Sequence, residues 1–535
     1  MNVTAFVNAR VFDGNSYLGR NEVLVRDGRV AEMATRVNTS GADVVDVAGG
    51  LVAPGFVDAH VHAVQGGLER IRCDLSDATT RDEYLAAVRE YAAAHPDAPW
   101  ILGGGWAMPA FPGGTPTAAD LDAVVADRPV FLPNRDHHGA WVNSRALELA
   151  GVDASTPDPA HGRIERDAAG RPTGTLHEGA MDLVSALIPA TSETEMDAAL
   201  LAAQRYLHSL GITAWQDAIV GAYGGVDDPG PAYARAARRG ALTASVSGAL
   251  WWDRDRDESQ LAELVQRSTE LSHGRFRAEA IKIMQDGVVE NFTAAMSEPY
   301  LDAAGRPTGN RGHSFVEPGA LRRYVRRLDE LGFQVHVHAI GDRAVTEALD
   351  ALAGSRRDRR HHIAHLQVVN PRDVARFADF DVTANLQMLW AVQDEQMVEL
   401  TLPFLGPKRS GWQYPFRALE RAGARLVAGS DWPVSSPNPL LAIHAGVNRV
   451  PFGDESTAPL LPDQGISLES AFAAYTAGSA WVTHRDDAGA VRPGARADLV
   501  TLDRDPFVLP HDEIGAAVAT SCWVDGELVH DSGLA

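Results

Sequence analysis

The chain has 535 residues, with 48 Lys and Arg against 71 Asp and Glu, so its formal net charge is −23. That balance argues against nucleic acid or an anionic membrane as partner, because both call for a basic surface. The 45% hydrophobic and 22% charged composition is that of a globular domain rather than a disordered chain.

The two cysteines, Cys73 and Cys522, stand near opposite ends of the chain and outside any CxxC pair, which excludes a disulfide framework and a cysteine zinc cluster. Isolated thiols suit a reducing compartment. The N-terminus lacks a basic segment followed by an apolar core. No run approaches the ~18–20 apolar residues that cross a bilayer. The expectation is a soluble, cytoplasmic protein.

In chain order, residues 1–53 read as short strands, with a hairpin turn signal at Asp27-Gly28 between Asn21–Val25 and Arg29–Met33. Residues 486–535 repeat the pattern, with a strand at Ala497–Leu502 and a hairpin about Asp525-Gly526. Neither end has enough strands to enclose a core, so the two are expected to pair into one composite β-sandwich. Between them, over residues 54–485, strand-like runs alternate with helical stretches. Eight candidate strands are Phe56–His62, Ile212–Asp217, Thr243–Leu250, Glu279–Asp286, Phe333–His338, His361–His365, Asp381–Gln387 and Arg425–Asp431. Eight such units predict an α/β fold of the TIM (β/α)8 barrel type. The gap between the first two strands is too long for one loop. Residues from about 66 to 185 are therefore expected to form an inserted α+β subdomain, rich in Gly and Pro, with its own strand at Val130–Pro133.

The strongest chemical signal is Pro54-Gly-Phe-Val-Asp-Ala-His60-Val-His62. Residues two apart on a strand share a face, so His60 and His62 aim both imidazoles inward, and neutral imidazole is a common metal ligand. His336 and His338 repeat the spacing on the fifth strand. His365 ends the sixth, Asp431 ends the eighth, and Lys282 lies within the fourth. Barrel chemistry is assembled at the C-terminal ends of several strands, and these residues fall there together.

With these motifs the chain resembles the amidohydrolase superfamily, and within it the amidohydrolase family 3 branch that includes N-substituted formamide deformylases. The resemblance spans nearly the whole chain: PGFVDAHVH at 54–62, RDHHGAWVNSRAL at 135–147, GRPTGTLHE at 170–178, KIMQDG at 282–287, HAIGDRAV at 338–345, HLQ at 365–367, GSDWPV at 429–434 and PGARADLVTLDRDP at 493–506. It implies a distorted barrel and a centre of two divalent metal ions. Zinc is the default, with iron, manganese and nickel as alternatives. By motif, His60 and His62 hold one ion, and His338 and His365 hold the second. Lys282 bridges them as a carbamate formed with carbon dioxide, and Asp431 is the catalytic aspartate. Burial beside cations lowers a lysine's pKa, and the neutral amine can then add carbon dioxide. His338 opens the HAIGDRA motif and is preferred to His336, which lies deeper on the same face.

The implied reaction is hydrolysis of an amide-type C–N bond of a small molecule by metal-activated hydroxide, with Asp431 as general acid/base. An N-substituted formamide or other linear amide is the leading substrate class. A cyclic amide, an aminated ring and an ester remain alternatives, and a non-catalytic binding scaffold is disfavoured because every ligand type is present. In the insert, Asp136 and His138 match the family's D-x-H, while His137 stands where that pattern usually has glycine. His138, Trp106, Glu178 and Arg343 are candidate substrate contacts. Trp251, Trp252, Phe292, Trp390 and Trp432 are expected to shape an apolar pocket. Gly103–Trp106 lacks the spacing of a phosphate loop, and there is no Gly-x-Ser-x-Gly elbow. A homodimer is expected from family habit.

Overall fold

The computed structural model describes residues 3–135, 137–159, 162–223, 226–454 and 456–533. At its centre lie eight parallel strands: β1 (Phe56–Val61), β2 (Ile212–Val220), β3 (Ser245–Trp251), β4 (Phe276–Met284), β5 (Gln334–Ala339), β6 (His362–His365), β7 (Thr383–Leu386) and β8 (Leu426–Ala428). They pair in sequence order, with β1 and β8 at the two ends of the sheet. Each matches one of the eight expected segments. β1 is buried along its whole length because helices cover the outside of the sheet and side chains fill the inside.

The barrel closes at its functional end. At the C-terminal end of β1, the turn after β8 pairs with it: the Asp431 N–H donates to the His60 carbonyl at 2.7 Å, and the His62 N–H donates to the Trp432 carbonyl at 2.8 Å. The seam therefore runs through the histidine motif. It needs a glycine at 429, where a Cβ would stand 2.5 Å from the His60 Cβ and 2.6 Å from its nitrogen. Gly429→Ala is expected to cost about 3 kcal/mol, the upper range for overpacking against backbone. It should also displace His60. A thermal unfolding midpoint equal to that of the parent would show that the seam can open without penalty.

The barrel interior is polar. Gln216 Nε2 donates to Gln334 Oε1 at 2.8 Å and to Ser247 Oγ at 3.3 Å. Above this layer, His336 and His362 lie ring against ring at 4.0 Å. The apolar core lies outside the strands, between sheet and helices, and includes Phe56, Trp215, Ile281, Val335 and Ile363. Helix Ala63–Ile71 crosses the expected start of the insert at about 66 and instead packs on helix Glu193–Ser209. Gly67 permits this, since a Cβ there would meet the Ala199 carbonyl at 2.0 Å. The insert's own six-stranded sheet begins at Cys73–Asp74, includes Val130–Pro133, and carries two separate apolar clusters.

The chain ends interleave. Leu51–Pro54 pairs antiparallel with Leu499–Leu502 inside a six-stranded sheet that also holds Arg10–Phe12, Tyr17–Arg20, Ala519–Val524 and Glu527–Asp531. A four-stranded sheet of N-terminal strands packs against it, with Phe6 edge-on to Trp523 at 5.3 Å. Among the described residues, no helix is long and apolar enough to cross a membrane.

Candidate metal centre

At the C-terminal end of the barrel, β1 presents His60 and His62, and the turn after β8 presents Asp431. One ligand atom from each lies within 4.8 Å of the others, the one such group of His, Cys, Asp and Glu among the described residues. Asp431 Oδ1 stands 3.2 Å from His60 Nε2 and 3.0 Å from His62 Nε2. The three ligand atoms thus converge on one buried point, an arrangement that suits a divalent cation.

The other expected ligands surround this triad. Lys282, from β4, places Nζ 3.3 Å from His60 Nε2. His365 Nδ1, at the end of β6, is 3.9 Å from Asp431 Oδ2 and is itself buried without a hydrogen bond. His338, from β5, packs its ring 4.3 Å from that of His365. Its Nε2 is turned to the Gly287 carbonyl at 3.4 Å and to Asp286 Oδ1 at 3.6 Å. His336 lies deeper on β5, as its spacing predicts, with Nε2 2.9 Å from His60 Nδ1.

Burial sets the charges. It pushes the Lys282 amine down to about 7, against the opposing pull of Asp431 and Asp217. Burial and Lys282 push His60 down to about 3. Burial also holds His338 and His365 well below the usual imidazole range. It would raise the Asp431 carboxyl, but His60, His62 and His365 hold it well below the carboxylate range. The cluster therefore sets an anionic carboxylate beside the neutral imidazoles of His60, His338 and His365 and an amine that is readily neutral.

Backbone conformation is unusual at the same residues. His365, Leu366 and Asp431 are non-glycine residues at φ of 79°, 50° and 59°. Such outliers persist where surrounding contacts hold them. Here the His365 N–H is bound by Gln387 Oε1 at 2.6 Å, the Leu366 N–H by the Ala339 carbonyl, and the Asp431 N–H by the seam.

Two buried carboxylates went unassigned in the sequence although both stand within its quoted motifs. Asp58 Oδ1 accepts the N–H of His60 and of Ser430, both at 3.0 Å, and so ties β1 to the turn after β8. Burial pushes its carboxyl up to about 7. Asp286 accepts the N–H of Ala295, Ile340 and Gly341, and burial pushes it up to about 8. An aspartate at the base of a motif carrying a ligand was the available signal for both.

Around the rim, His138 Nδ1 lies 3.0 Å from Glu178 Oε1, which also accepts from Asn291 Nδ2 at 2.8 Å. This cluster joins the insert to the loop after β4. Burial would raise Glu178, but His138 holds it below its usual value. His137 has φ of 62°, which accounts for the glycine usual there. It contacts Gln65 at 3.1 Å and Glu69 at 3.1 Å on the helix after β1. Asp136 lies outside the described residues. Arg343 donates to the Arg311 and Gly312 carbonyls and so holds a loop. Trp106 corrects its expectation as a substrate contact. It is 1% exposed in the insert's core, edge-on to Phe111 and Trp141, with its indole N–H on the Leu132 carbonyl. Trp252 is likewise buried, whereas Trp390 stacks on His365 at 5.4 Å and Trp251 pairs with Tyr223 at 4.6 Å.

A family model described as the amidohydrolase family matches residues 43–530. A putative amidohydrolase, YtcJ, of Bacillus subtilis (strain 168) is 30% identical over 515 residues, covering 95% of this chain and 94% of the relative. An N-substituted formamide deformylase of Arthrobacter pascens is 28% identical over 560 residues, 98% of this chain and 97% of the relative. Among solved structures, a metal-dependent hydrolase from Pyrococcus horikoshii OT3 superposes with a TM-score of 0.74 at 25% identity, covering 95% of this chain and 99% of that one.

Proposed function

Because the chain belongs to the amidohydrolase family and is a metal-dependent hydrolase, we propose that it cleaves the C–N bond of a small linear amide, an N-substituted formamide above all. The convergence of His60, His62 and Asp431 on one bare point, flanked by Lys282, carries this reading. The deformylase likeness supports a linear amide. The aromatic rings of Trp390, Trp251 and Tyr223 support an apolar substituent on its nitrogen.

His60, His62 and Asp431 would hold one divalent ion. His338 and His365 would hold a second, with Lys282 shared between them as a carbamate. Zinc is the ion that best suits imidazole and carboxylate-type donors. Such ions polarise a carbonyl and lower the pKa of water from about 15.7 to about 7. Lys282 is suited to carbamate formation because burial pushes its amine down to about 7, so a large share of it is neutral at that pH: the neutral nitrogen adds carbon dioxide and releases a proton. Asp431, kept anionic, takes the proton of the attacking water and returns it to the departing amine nitrogen. His60 and His62 orient Asp431 from one side, and the seam holds its backbone. A cytoplasmic setting belongs to the same proposal, and both cysteines are buried free thiols.

The test is metal content by elemental analysis, on protein purified with bicarbonate and without added metal or chelator, followed by a substrate panel. Near two equivalents are expected, with hydrolysis of linear formamides abolished by a chelator and restored by zinc. Fresh protein with almost no metal would overturn the reading. Hydrolysis confined to cyclic amides, aminated rings or esters would overturn the substrate class.

A further inference from the structure

We propose that His336 is the positioning residue for His60: its Nε2 accepts the His60 Nδ1–H and so holds His60 in the tautomer whose bare Nε2 faces Asp431 and Lys282. The inference rests on the metal-centre reading above and concerns a residue to which the family motif gives no part.

The two rings face different ways for a geometric reason. His60 Nε2 points into the cluster, 3.2 Å from Asp431 and 3.3 Å from Lys282, so Nδ1 points down the barrel, where it meets His336 Nε2 at 2.9 Å. The rings stand nearly perpendicular, at 80°, with centroids 4.7 Å apart, so the edge of one nitrogen meets the edge of the other. Both residues are fully buried. A metal-binding imidazole needs its other nitrogen protonated and bound, commonly by a carboxylate, a backbone carbonyl or water. Here that acceptor is a second imidazole.

An imidazole accepts at Nε2 only when its own proton sits on Nδ1. His336 Nδ1 is buried and has no hydrogen-bond partner among the described residues. Its neighbour His362 receives the Asn385 amide at Nδ1, 3.2 Å away, so it too carries its proton on the other nitrogen, Nε2, which is also without a partner. Two buried ring nitrogens left without a partner among the described residues ask for a reason. Fixing the face that His60 turns to the cluster supplies one. β5 delivers both functions from one strand face: His338 to the centre and His336 one pleat below.

The experiment measures zinc affinity by competition with a chromophoric chelator for the parent, His336→Leu, His336→Met and His336→Gln, alongside thermal unfolding of each metal-free protein. His336→Leu and His336→Met lack a strong acceptor and are expected to bind zinc 10- to 100-fold more weakly, the usual consequence of losing a ligand's outer partner. His336→Gln offers an amide oxygen near the place of Nε2 and is expected to stay close to the parent. If His336→Leu fails to fold, His336→Met and His336→Gln, which are similar in size, carry the comparison. Parent-like binding in the Leu and Met variants overturns the inference. So does equal weakening in Gln and Met, which would make the role one of packing. A parent that binds no zinc overturns the metal-centre reading and takes this inference with it.

Discussion

Asp431→Asn is expected to lower turnover by ~10³- to 10⁴-fold, the upper end for loss of a general acid/base group, in a chain that still folds and still takes up metal. Asparagine keeps the shape and leaves one oxygen facing His60 and His62. It loses the negative charge that those histidines stabilise, and with it the ability to accept a proton. In the proposed mechanism two proton transfers depend on this one carboxylate, one from the water and one to the leaving amine, so no neighbouring group replaces it. Lys282, its amine pushed down to about 7 by burial, is already committed to the cluster, and burial holds His338 and His365 well below the usual imidazole range. The check is kcat of the metal-loaded variant beside its metal content. More than a tenth of parent turnover at full occupancy would remove Asp431 from the proton path.

The second large effect is expected at Lys282. Lys282→Ala should lower metal content from near two to near one equivalent and reduce turnover by ~10³-fold, on the scale of losing a group that stabilises charge in the transition state. The lysine is 2% exposed and sits 3.3 Å from His60 Nε2, and its burial outweighs the pull of Asp431 and Asp217 that would keep it charged. A carbamate at that place adds the anion that a second ion needs, since His338 and His365 contribute none. Added short-chain carboxylic acid, filling the space left by the side chain, is expected to restore part of the activity. Unchanged metal content in Lys282→Ala would make the residue a structural partner of the cluster.

Much of this was legible before any coordinates. The eight barrel strands show as short β-rich runs bounded by turns and separated by helical stretches, and each coincides with an observed strand. The ligand candidates were legible because alternation along a strand puts His60 with His62, and His336 with His338, on one inward face. Alternation alone does not rank His336 against His338, since both point inward; the motif that His338 opens and the order along the strand do, and the folded barrel adds that His336 meets His60 Nδ1. Asp58 and Asp286 escaped notice for a related reason: their partners are backbone N–H groups of Ser430, Ala295, Ile340 and Gly341, brought near only by the fold. Trp106 misled because an aromatic beside a glycine-rich run looks like a loop residue, whereas the insert encloses a core of its own.

The family, the barrel and the side chains that gather at its C-terminal end are legible in the amino-acid order, because they depend on period-two patterning and on motifs whose residues are neighbours in the chain. Which nitrogen of His60 faces Asp431, which residue meets its other nitrogen, and the closure of the seam beside the site emerge with the folded barrel. Each of these is a contact across the barrel between residues distant in the chain, 276 positions apart in the His60–His336 pair. A hydrogen bond is made or lost over a few tenths of an ångström, a precision that arises only when eight strands close on one another.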